Sequence, residues 1–331
     1  MKILALKIDV DTYRGTLEGV PRLVDLLGKH GLRATFFFSL GPDRSGRAIK
    51  RIFRKGFVKK VLSARPAASY GLRTMLFGTL LPAPDIGGRA ETVARMREAV
   101  DAGHAVGVHA WDHVDWHDRL PRMTRAEIEW IVAKENARFR EIFGGPAAFQ
   151  AAPGWTATPL SVEVQEAHGV VATSDTRGGG PFYPLRADST PSGVLEIPTT
   201  LPTLDELLAL HRGAGARETI CKILRMKVGE NVAEGDGGAA RAGAMTSSIH
   251  VHSIHAEIEG ASSFCGWFEE QLVGWKDDNV AFLTFEELCR SLQFARTPAG
   301  EAGEQRGFPV KRLGWTTLPG RATPVATGVA L

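Results

Sequence analysis

The sequence predicts an α/β protein with a parallel sheet, and we favour an incomplete (β/α) barrel with its site at the C-terminal ends of the strands. The 331 residues have the composition of a globular domain, 44% hydrophobic and 23% charged. Strand-like runs alternate with segments of helical periodicity from the first residues onward. No strand is followed by a GxGxxG or GxxxxGK[ST] loop, which weakens the alternative of a doubly wound nucleotide-binding sheet.

Strands are predicted from short apolar runs and helices from apolar residues spaced three and four apart. The apolar positions of the first helix are Val20, Leu23, Val24 and Leu27. That helix ends at Gly31, a second covers residues 90–102, and a capping box of Thr124 and Glu127 begins a third that continues to Phe143. The predicted strands span residues 3–10, 34–40, 105–109, 147–151, 170–174, 194–198, 248–254 and 280–283.

Three segments depart from this alternation. Residues 42–88 resemble an insertion, and residues 213–245, rich in Gly and Ala, are predicted to form a surface loop. The tail of residues 296–331 is rich in Pro, Gly, Thr and Ala, and we expect it to be flexible. The main domain is therefore predicted to cover residues 1–295.

The insertion has an unusual distribution of charge. Eight basic residues and no acidic one lie between Arg44 and Lys60, interspersed with apolar residues, and the uncharged stretch TMLFGTLLPAP follows at residues 74–84. A basic amphipathic helix followed by an exposed apolar hairpin suits an anionic bilayer surface. The alternatives are a solvated basic helix or an RNA-binding face.

Three features indicate a cytoplasmic protein. The three cysteines are odd in number and lack CxxC spacing, which fits a reducing compartment. The apolar N-terminal residues are interrupted by Asp9 and Asp11, so we interpret them as a strand and not as a signal peptide. No run of about 18 apolar residues occurs, so no transmembrane helix is expected.

Two carboxylates stand at the end of the first predicted strand. Asp9 and Asp11 point to the same face, because side chains of a strand alternate with a period of two. Like charges this close repel each other unless a cation binds or a proton is held. The pair indicates a metal site, with two solvated acids at the start of a loop as the alternative.

Two histidines follow the strand at residues 105–109. His109 and His113 lie on one face if a helical turn follows, and this spacing is common among metal ligands. The alternative is that His113 belongs to a solvent-facing polar turn. Together with the paired aspartates, the two imidazoles favour a metal site that leaves positions open for water and substrate.

The late strand at residues 248–254 carries three further histidines. His255 stands at its end, where it could act as a general acid opposite a carboxylate base. His250 and His252 share one face, and we interpret them as an internal or edge polar pair and not as catalytic groups.

This order, DxD, then HxxxH, then a histidine at a late strand end, resembles the polysaccharide deacetylase (NodB-type, carbohydrate esterase) family. Six segments strengthen the resemblance and are similar to deformylases of that family that act on 4-deoxy-4-formamido-L-arabinose-phosphoundecaprenol. They are LKIDVDTYRGTLEGVPRL, HAWDH, SDTRG, PFYPL, IPTTLPTLDE and IHAEIEG. The resemblance covers roughly residues 1–290 and implies a distorted (β/α)7-type barrel.

The resemblance also implies roles for individual residues. Asp11, His109 and His113 would bind one divalent metal ion, zinc or else cobalt, manganese or nickel. Asp9 would be the general base, His255 the general acid, and Asp175 a residue that orients catalytic partners. The residues expected to contact substrate are Arg14, Pro153, Gly154, Trp155 and Arg177.

One position departs from the family pattern. FQAAPGW at residues 149–155 matches the third family motif, but Ala151 replaces the arginine that steadies the base aspartate. We therefore hypothesise that Arg177, two residues after Asp175, supplies the missing positive charge to Asp9.

The implied function is removal of formyl from a lipid-linked amino sugar by a peripheral enzyme at the cytoplasmic face of the bacterial inner membrane. It would serve lipid A modification and resistance to cationic peptides such as polymyxin. The alternatives are a deacetylase of another N-acyl amino sugar and an inactive lipid- or glycan-binding relative. A nucleic-acid partner is not expected, because it would have no use for the aligned acids and histidines. The oligomeric state stays open.

Overall fold

The computed structural model describes residues 2–48, 73–186, 188, 190–229 and 248–294, together with three short strands between residues 311 and 325. The most basic part of the predicted insertion, residues 49–72, lies outside the described residues. The same holds for residues 230–247 of the predicted loop and for most of the predicted tail.

The main sheet is built from parallel strands in the spatial order β7-β5-β4-β3-β2-β1-β8. Their bounds are β1 Lys2–Val10, β2 Thr35–Phe38, β3 Ala105–Val108, β4 Phe149–Gln150, β5 Ala172–Thr173, β7 Leu195–Glu196 and β8 Ser248–His255. After β7 the chain reaches β8, where the amides of Thr200 and Leu201 each donate to the carbonyl of Val251 at 3.1 Å. The sheet is thus curled into an almost closed barrel, which confirms the predicted (β/α)7-type fold.

Short strands extend this sheet. β6, Phe182–Pro184, pairs antiparallel with β7, and β9, Ala281–Phe282, lies beside the start of β1. β10, Lys311–Leu313, pairs with β6, while β11, Thr316–Thr317, and β12, Pro324–Val325, pair with each other. Residues 311–313 of the tail thus pair with β6, and the flexibility of residues 296–331 stays a prediction.

The helices lie between the strands, as the alternation predicts. Their bounds are α1 Val20–Lys29, α2 Ala90–Asp101, α3 His113–Arg119, α4 Arg125–Phe143, α5 Pro159–Ala167, α6 Leu204–Leu210, α7 Ala216–Gly229, α8 Cys265–Asp277 and α9 Phe285–Phe294. The capping box of Thr124 and Glu127 is present at the start of α4. Within the described residues, no helix combines the length and the apolar composition needed to cross a membrane.

The two faces of β1 separate two hydrophobic clusters. Leu4, Leu6 and Ile8 pack outward with the apolar residues of α1 and α8. Ile3 and Ala5 pack inward with apolar residues of β2, β4, β5, β7 and β8. The buried apolar residues of α9 belong to the same inner cluster. The inner face of β1 is thus the inside of the barrel, and the odd-numbered residues of the strand occupy it.

The predicted loop at residues 213–245 is wrong for its first part, because residues 216–229 form α7. Ile220, Leu224 and Val228 recur four residues apart and are buried. The Gly- and Ala-rich composition of the following residues obscured this helical spacing.

The described ends of the predicted insertion are held together near the site. Pro42 and Asp85 form an antiparallel bridge, and a 3-10 turn spans Thr74–Leu76. In the apolar stretch that follows, Phe77 is buried whereas Leu80 is 79% exposed. The stretch is therefore partly packed and exposed at its tip.

Candidate active site

The site lies where β1, β3 and β8 end. Asp9 and Asp11 follow Ile3 and Ala5 on the inner face of β1, so the period of two brings both carboxylates into the barrel mouth. β8 runs beside β1 in a register that pairs Asp9 with His255. Asp9 and Asp11 are 3% and 8% exposed, so the two acids are largely removed from water.

The two histidines after β3 are set by a sharp turn. His109 follows the strand, and Ala110 has the left-handed φ of 66°, unusual for a residue with a side chain. Asp112 then caps α3 by accepting from the amides of Val114 and Asp115. His113 begins that helix, and its ring centroid lies 5.3 Å from that of His109. The predicted helical turn between the two histidines is absent, because Ala110 is left-handed and Asp112 is extended, and this irregular turn brings the two imidazoles together instead.

Asp11, His109 and His113 converge on a common point. Oδ1 of Asp11 lies 3.1 Å from Nε2 of His109, and Oδ2 lies 3.5 Å from Nε2 of His113. One nitrogen or oxygen atom from each residue falls within 4.8 Å of the others, a separation that one metal ion can bridge. Among the described residues, Nδ1 of His109 is buried without a hydrogen-bond partner. The donor set fits a divalent ion.

The base and acid positions carry opposite charges. Burial alone would raise the pKa of Asp9, but the positive charges of Lys7, His109 and His255 outweigh it and lower that pKa. Burial likewise opposes the charge on His255, yet the carboxylates of Asp205, Asp11, Asp9 and Glu259 raise its pKa to about 9. Asp9 is therefore ionised and His255 protonated at neutral pH, the states that a general base and a general acid require.

Buried glutamates hold the loops that carry these groups. Oε1 of Glu257 accepts from the amides of Asp11 and Thr12 at 3.0 and 2.8 Å, and Glu259 accepts from the amide of His255 at 2.9 Å. Glu135 of α4 accepts from the amide of Trp111 at 2.6 Å. Each metal-site or catalytic loop is thus fixed through its backbone.

Asp175 lies at the end of β5, fully buried. Its carboxylate accepts from Nε2 of Gln165 at 3.2 Å, and its amide donates to Glu196 at 2.9 Å. Burial, together with the negative charge of Glu196, raises the pKa of Asp175 well above its usual value. Its predicted orienting role stays a prediction.

The hypothesis that Arg177 supplies the charge beside Asp9 is wrong. The guanidinium of Arg177 pairs with Glu206, donates to the carbonyl of Leu201 at 3.3 Å and stacks over the ring of Trp155 at 4.6 Å. Lys7 takes that place, because its Nζ lies 3.0 Å from Oδ2 of Asp9.

The other predicted substrate contacts lie in the loops that follow β4 and β1. Pro153, Gly154 and Trp155 form a 3-10 turn after β4, in which Gly154 has a φ of 56°. A Cβ atom at Gly154 would lie 2.3 Å from Cδ2 of His117, so a larger residue there would displace that ring and strain the left-handed backbone. Arg14 follows the β1 loop, is partly exposed and pairs with Glu18 at 3.2 Å. The contact of these residues with substrate stays a prediction.

His250 and His252 do not join the site, as predicted. Ile249 and Val251 of β8 pack inward, so the two histidines point to the outer, helical layer. His252 packs against Trp275 with ring centroids 5.5 Å apart, and burial lowers its pKa to about 3. Both are internal polar residues of the outer layer.

Sequence reasoning missed two groups that contact Asp9. Lys7 forms an ion pair with its carboxylate, and the hydroxyl of Ser253 donates a hydrogen bond to it. A signal was present for Lys7, since a lysine within an apolar strand, two residues before Asp9, must share the inner face. Ser253 could be found only from the register of β1 against β8.

Comparison with known proteins agrees with this geometry. Residues 2–173 match the polysaccharide deacetylase family. The chain is 36% identical over 290 residues to a protein of Shewanella sediminis named "Probable 4-deoxy-4-formamido-L-arabinose-phosphoundecaprenol deformylase ArnD", covering 86% of this chain and 85% of that one. A protein of the same name from Wigglesworthia glossinidia brevipalpis is 27% identical over 309 residues, 93% of this chain and 96% of that one.

Among solved structures, a probable polysaccharide deacetylase from Pseudomonas aeruginosa PAO1 superposes with a TM-score of 0.58 at 16% identity. The match covers 90% of this chain and 93% of that one, and it supports the fold alone. With the sequence match and the relatives above, the conclusion is that this chain belongs to the polysaccharide deacetylase family.

Proposed function

We propose that this protein removes the formyl group from 4-deoxy-4-formamido-L-arabinose-phosphoundecaprenol, releasing formate and the amino-sugar lipid phosphate. The observation that carries the proposal is the register that pairs Asp9 of β1 with His255 of β8, beside Asp11, His109 and His113. The choice of formyl and of this sugar rests on the name of the relative that is 36% identical.

Asp11, His109 and His113 would hold one divalent metal ion, zinc or else cobalt, manganese or nickel. When bound, such an ion supplies Lewis acidity, which lowers the pKa of a water molecule and polarises the acyl carbonyl. The carboxylate of Asp11 and the imidazoles of His109 and His113 are ligand types that all of these ions accept.

The chain's own residues move the protons. Asp9, with its lowered pKa, accepts a proton from the attacking water. His255, held in its protonated form, donates to the sugar nitrogen as the carbon–nitrogen bond breaks. An amine anion is a poor leaving group, so the nitrogen must receive this proton as the carbon–nitrogen bond breaks.

The mouth would bind the sugar and its phosphate. Trp155 offers an aromatic face with the positive charge of Arg177 over it, and Arg14, three residues after Asp11, would add positive charge from the loop after β1. Pro153 and Gly154 shape the turn that presents Trp155. These residues form the substrate side of the proposal.

The lipid-linked substrate implies work at a membrane surface. We propose peripheral binding at the cytoplasmic face of the inner membrane, through the basic residues 44–60 and the exposed Leu80, in the service of lipid A modification and polymyxin resistance. The basic segment lies mostly outside the described residues, so its charge pattern alone supports this part.

The proposal is tested with two substrates that differ only in the acyl group. Purified protein is incubated with formamido- and acetamidoarabinose lipid phosphates, and free formate and acetate are measured. Formate release at least tenfold faster than acetate release is expected. Preferential acetate release would identify a deacetylase instead, and release of neither acid would contradict an enzymatic role on this sugar.

A further inference from the structure

A buried lysine in β1 carries a further inference. Lys7 is 1% exposed and stands on the inner face of the strand, between Ala5 of the apolar barrel interior and Asp9. A buried ammonium group is strongly disfavoured unless an opposite charge and hydrogen bonds compensate it. The reason for its presence should therefore be found among its immediate neighbours.

The neighbour that compensates Lys7 is Asp9. Nζ of Lys7 lies 3.0 Å from Oδ2 of Asp9, and the same oxygen accepts a hydrogen bond from Oγ of Ser253 at 2.7 Å. The register of β1 against β8 pairs Lys7 with Ser253 and, two residues on, Asp9 with His255. Two adjacent strands thus direct two donors to one carboxylate oxygen.

The other oxygen of Asp9 is arranged differently. Oδ1 is buried and finds no hydrogen-bond partner in the part of the chain that the structure describes. It lies 3.7 Å from Nδ1 of His109, on the side of the three metal-site residues. The two oxygens of one carboxylate therefore have separate surroundings.

We propose that Lys7 and Ser253 are positioning residues for Asp9, which hold Oδ2 and so dedicate Oδ1 to taking the proton from the attacking water. This rests on the proposed function and adds the residues that orient its base. Holding one oxygen fixes the side-chain rotamer and keeps the other aimed at the site, which lowers the reorganisation that proton transfer needs. Lys7 acts through Asp9 and not on substrate, because its side chain is only 1% exposed and pairs directly with Asp9.

The kinetic test uses Lys7→Met and Ser253→Ala in the full chain. Lys7→Met should lower kcat by about 10–100-fold and Ser253→Ala by about 3–10-fold, with KM within about threefold of the wild type, since the base is misplaced and the substrate contacts are kept. Lys29→Met, at an exposed lysine, and Ser192→Ala, at a buried serine whose hydroxyl donates to the carbonyl of Val194, are matched controls expected to change kcat less than twofold.

A double-variant cycle separates positioning from a general structural effect. In an Asp9→Asn background, Lys7→Met should cause no further loss of kcat, because its effect passes through Asp9. A further loss of tenfold or more in that background would overturn the proposal. So would a Lys7→Met enzyme whose kcat stays within twofold of the wild type.

A readout independent of activity keeps this inference apart from the proposed function. Lys7→Met and Asp9→Asn should each lower the melting temperature by leaving a buried charge unpaired, and the double variant should melt above Lys7→Met. If the wild type releases no formate, the proposed function is wrong. The melting temperatures of the single and double variants would still show whether Lys7 and Asp9 are partners. Additive losses of melting temperature would show that Lys7 and Asp9 are not partners.

Discussion

His255 is surrounded by carboxylates that keep it charged. Nδ1 lies 3.9 Å from Oδ1 of Asp205, and Asp11, Asp9 and Glu259 add negative charge nearby. Because the pKa of His255 is raised to about 9, its proton is retained below that pH and lost as the pH rises through it. A general acid at this position therefore works across the neutral range.

The alkaline limb of the pH profile should report this histidine. We expect kcat/KM to fall above about pH 9, and Asp205→Asn to move that fall to lower pH, because Asp205 is the carboxylate that most favours the charged imidazole. Asp277→Asn, on α8, is the control and should leave the profile unchanged. An alkaline limb that Asp205→Asn does not move would show that another group controls it.

Strand geometry determines which site residues could be predicted from the sequence. Asp9, Asp11, His109 and His255 are all at strand ends, where parallel strands bring side chains together, so their convergence was predictable. The partner of Asp9 was assigned wrongly, although the period of two places Lys7 on the same face of β1 as Asp9. Arg177 is close in sequence to Asp175 but is drawn away by Glu206 and Trp155, a side-chain direction that spacing does not encode.

At the scale of elements, two loops pack against each other through glycines. The short π-helix Gly15–Gly19 after β1 meets the turn of residues 256–260 after β8. A Cβ atom at Gly19 would lie 2.1 Å from the carbonyl oxygen of Ala256, and one at Gly15 would lie 2.0 Å from Oε1 of Glu257. The two site-bearing loops are therefore mutually dependent.

Gly19→Ala should destabilise the protein by about 1–3 kcal/mol, because backbone on the facing loop has to move. Gly28→Ala, in α1 with nothing within 4 Å of the added Cβ atom, is the matched control and should be neutral or stabilise by up to about 1 kcal/mol. Denaturant unfolding measures both. Equal free energies of unfolding for the two variants would contradict the close packing.

Glu135 links α4 to the metal-site turn and should make stability pH-dependent. Burial raises its folded-state pKa from 4.5 to about 8, so its contribution to stability is fully present below pH 4.5 and is lost as the pH rises toward 8. Glu135→Gln keeps an acceptor for the amide of Trp111 and removes the titrating group. The variant should lose less free energy of unfolding than the wild type between pH 5 and 8, by on the order of 2 kcal/mol. Parallel curves for the two proteins would contradict this.

Elements with strong periodicity were predictable, and one with mixed composition was not. β1, α1, α2 and the capping box of α4 lie where the apolar pattern places them. α7 was missed, since its buried residues recur only every fourth position beside a Gly- and Ala-rich stretch. Local composition misleads where a helix adjoins a glycine-rich segment.

At the scale of the whole molecule, the membrane contact that we propose involves the insertion that begins beside the site. Arg44 pairs with Asp112, next to His113, so the insertion begins at the mouth of the site. The basic residues that follow in sequence would place that mouth against an anionic surface. A lipid-linked sugar could then reach the site without leaving the bilayer.

Binding to anionic vesicles should therefore depend on the insertion and on salt. Glutamine at Lys50, Arg51, Arg54 and Lys55 should weaken binding by roughly a hundredfold or more, at about 1 kcal/mol for each lost charge. The charge-matched control changes four exposed basic residues of the helical layer to glutamine, Lys29, Arg95, Arg217 and Arg290. If both sets of substitutions weaken vesicle binding equally, net charge alone attracts the protein to the membrane. If the substitutions in the insertion leave binding unchanged, the insertion does not contribute to it.

The most direct test of the account is formate release from formamidoarabinose lipid phosphate by the wild type and by Asp9→Asn, each with and without a chelator. We expect chelator-sensitive release by the wild type, restored by added zinc, cobalt, manganese or nickel, and a loss of about 100-fold or more in Asp9→Asn. Undiminished release by Asp9→Asn, or release that a chelator leaves unchanged, would contradict the assignment of base and metal site.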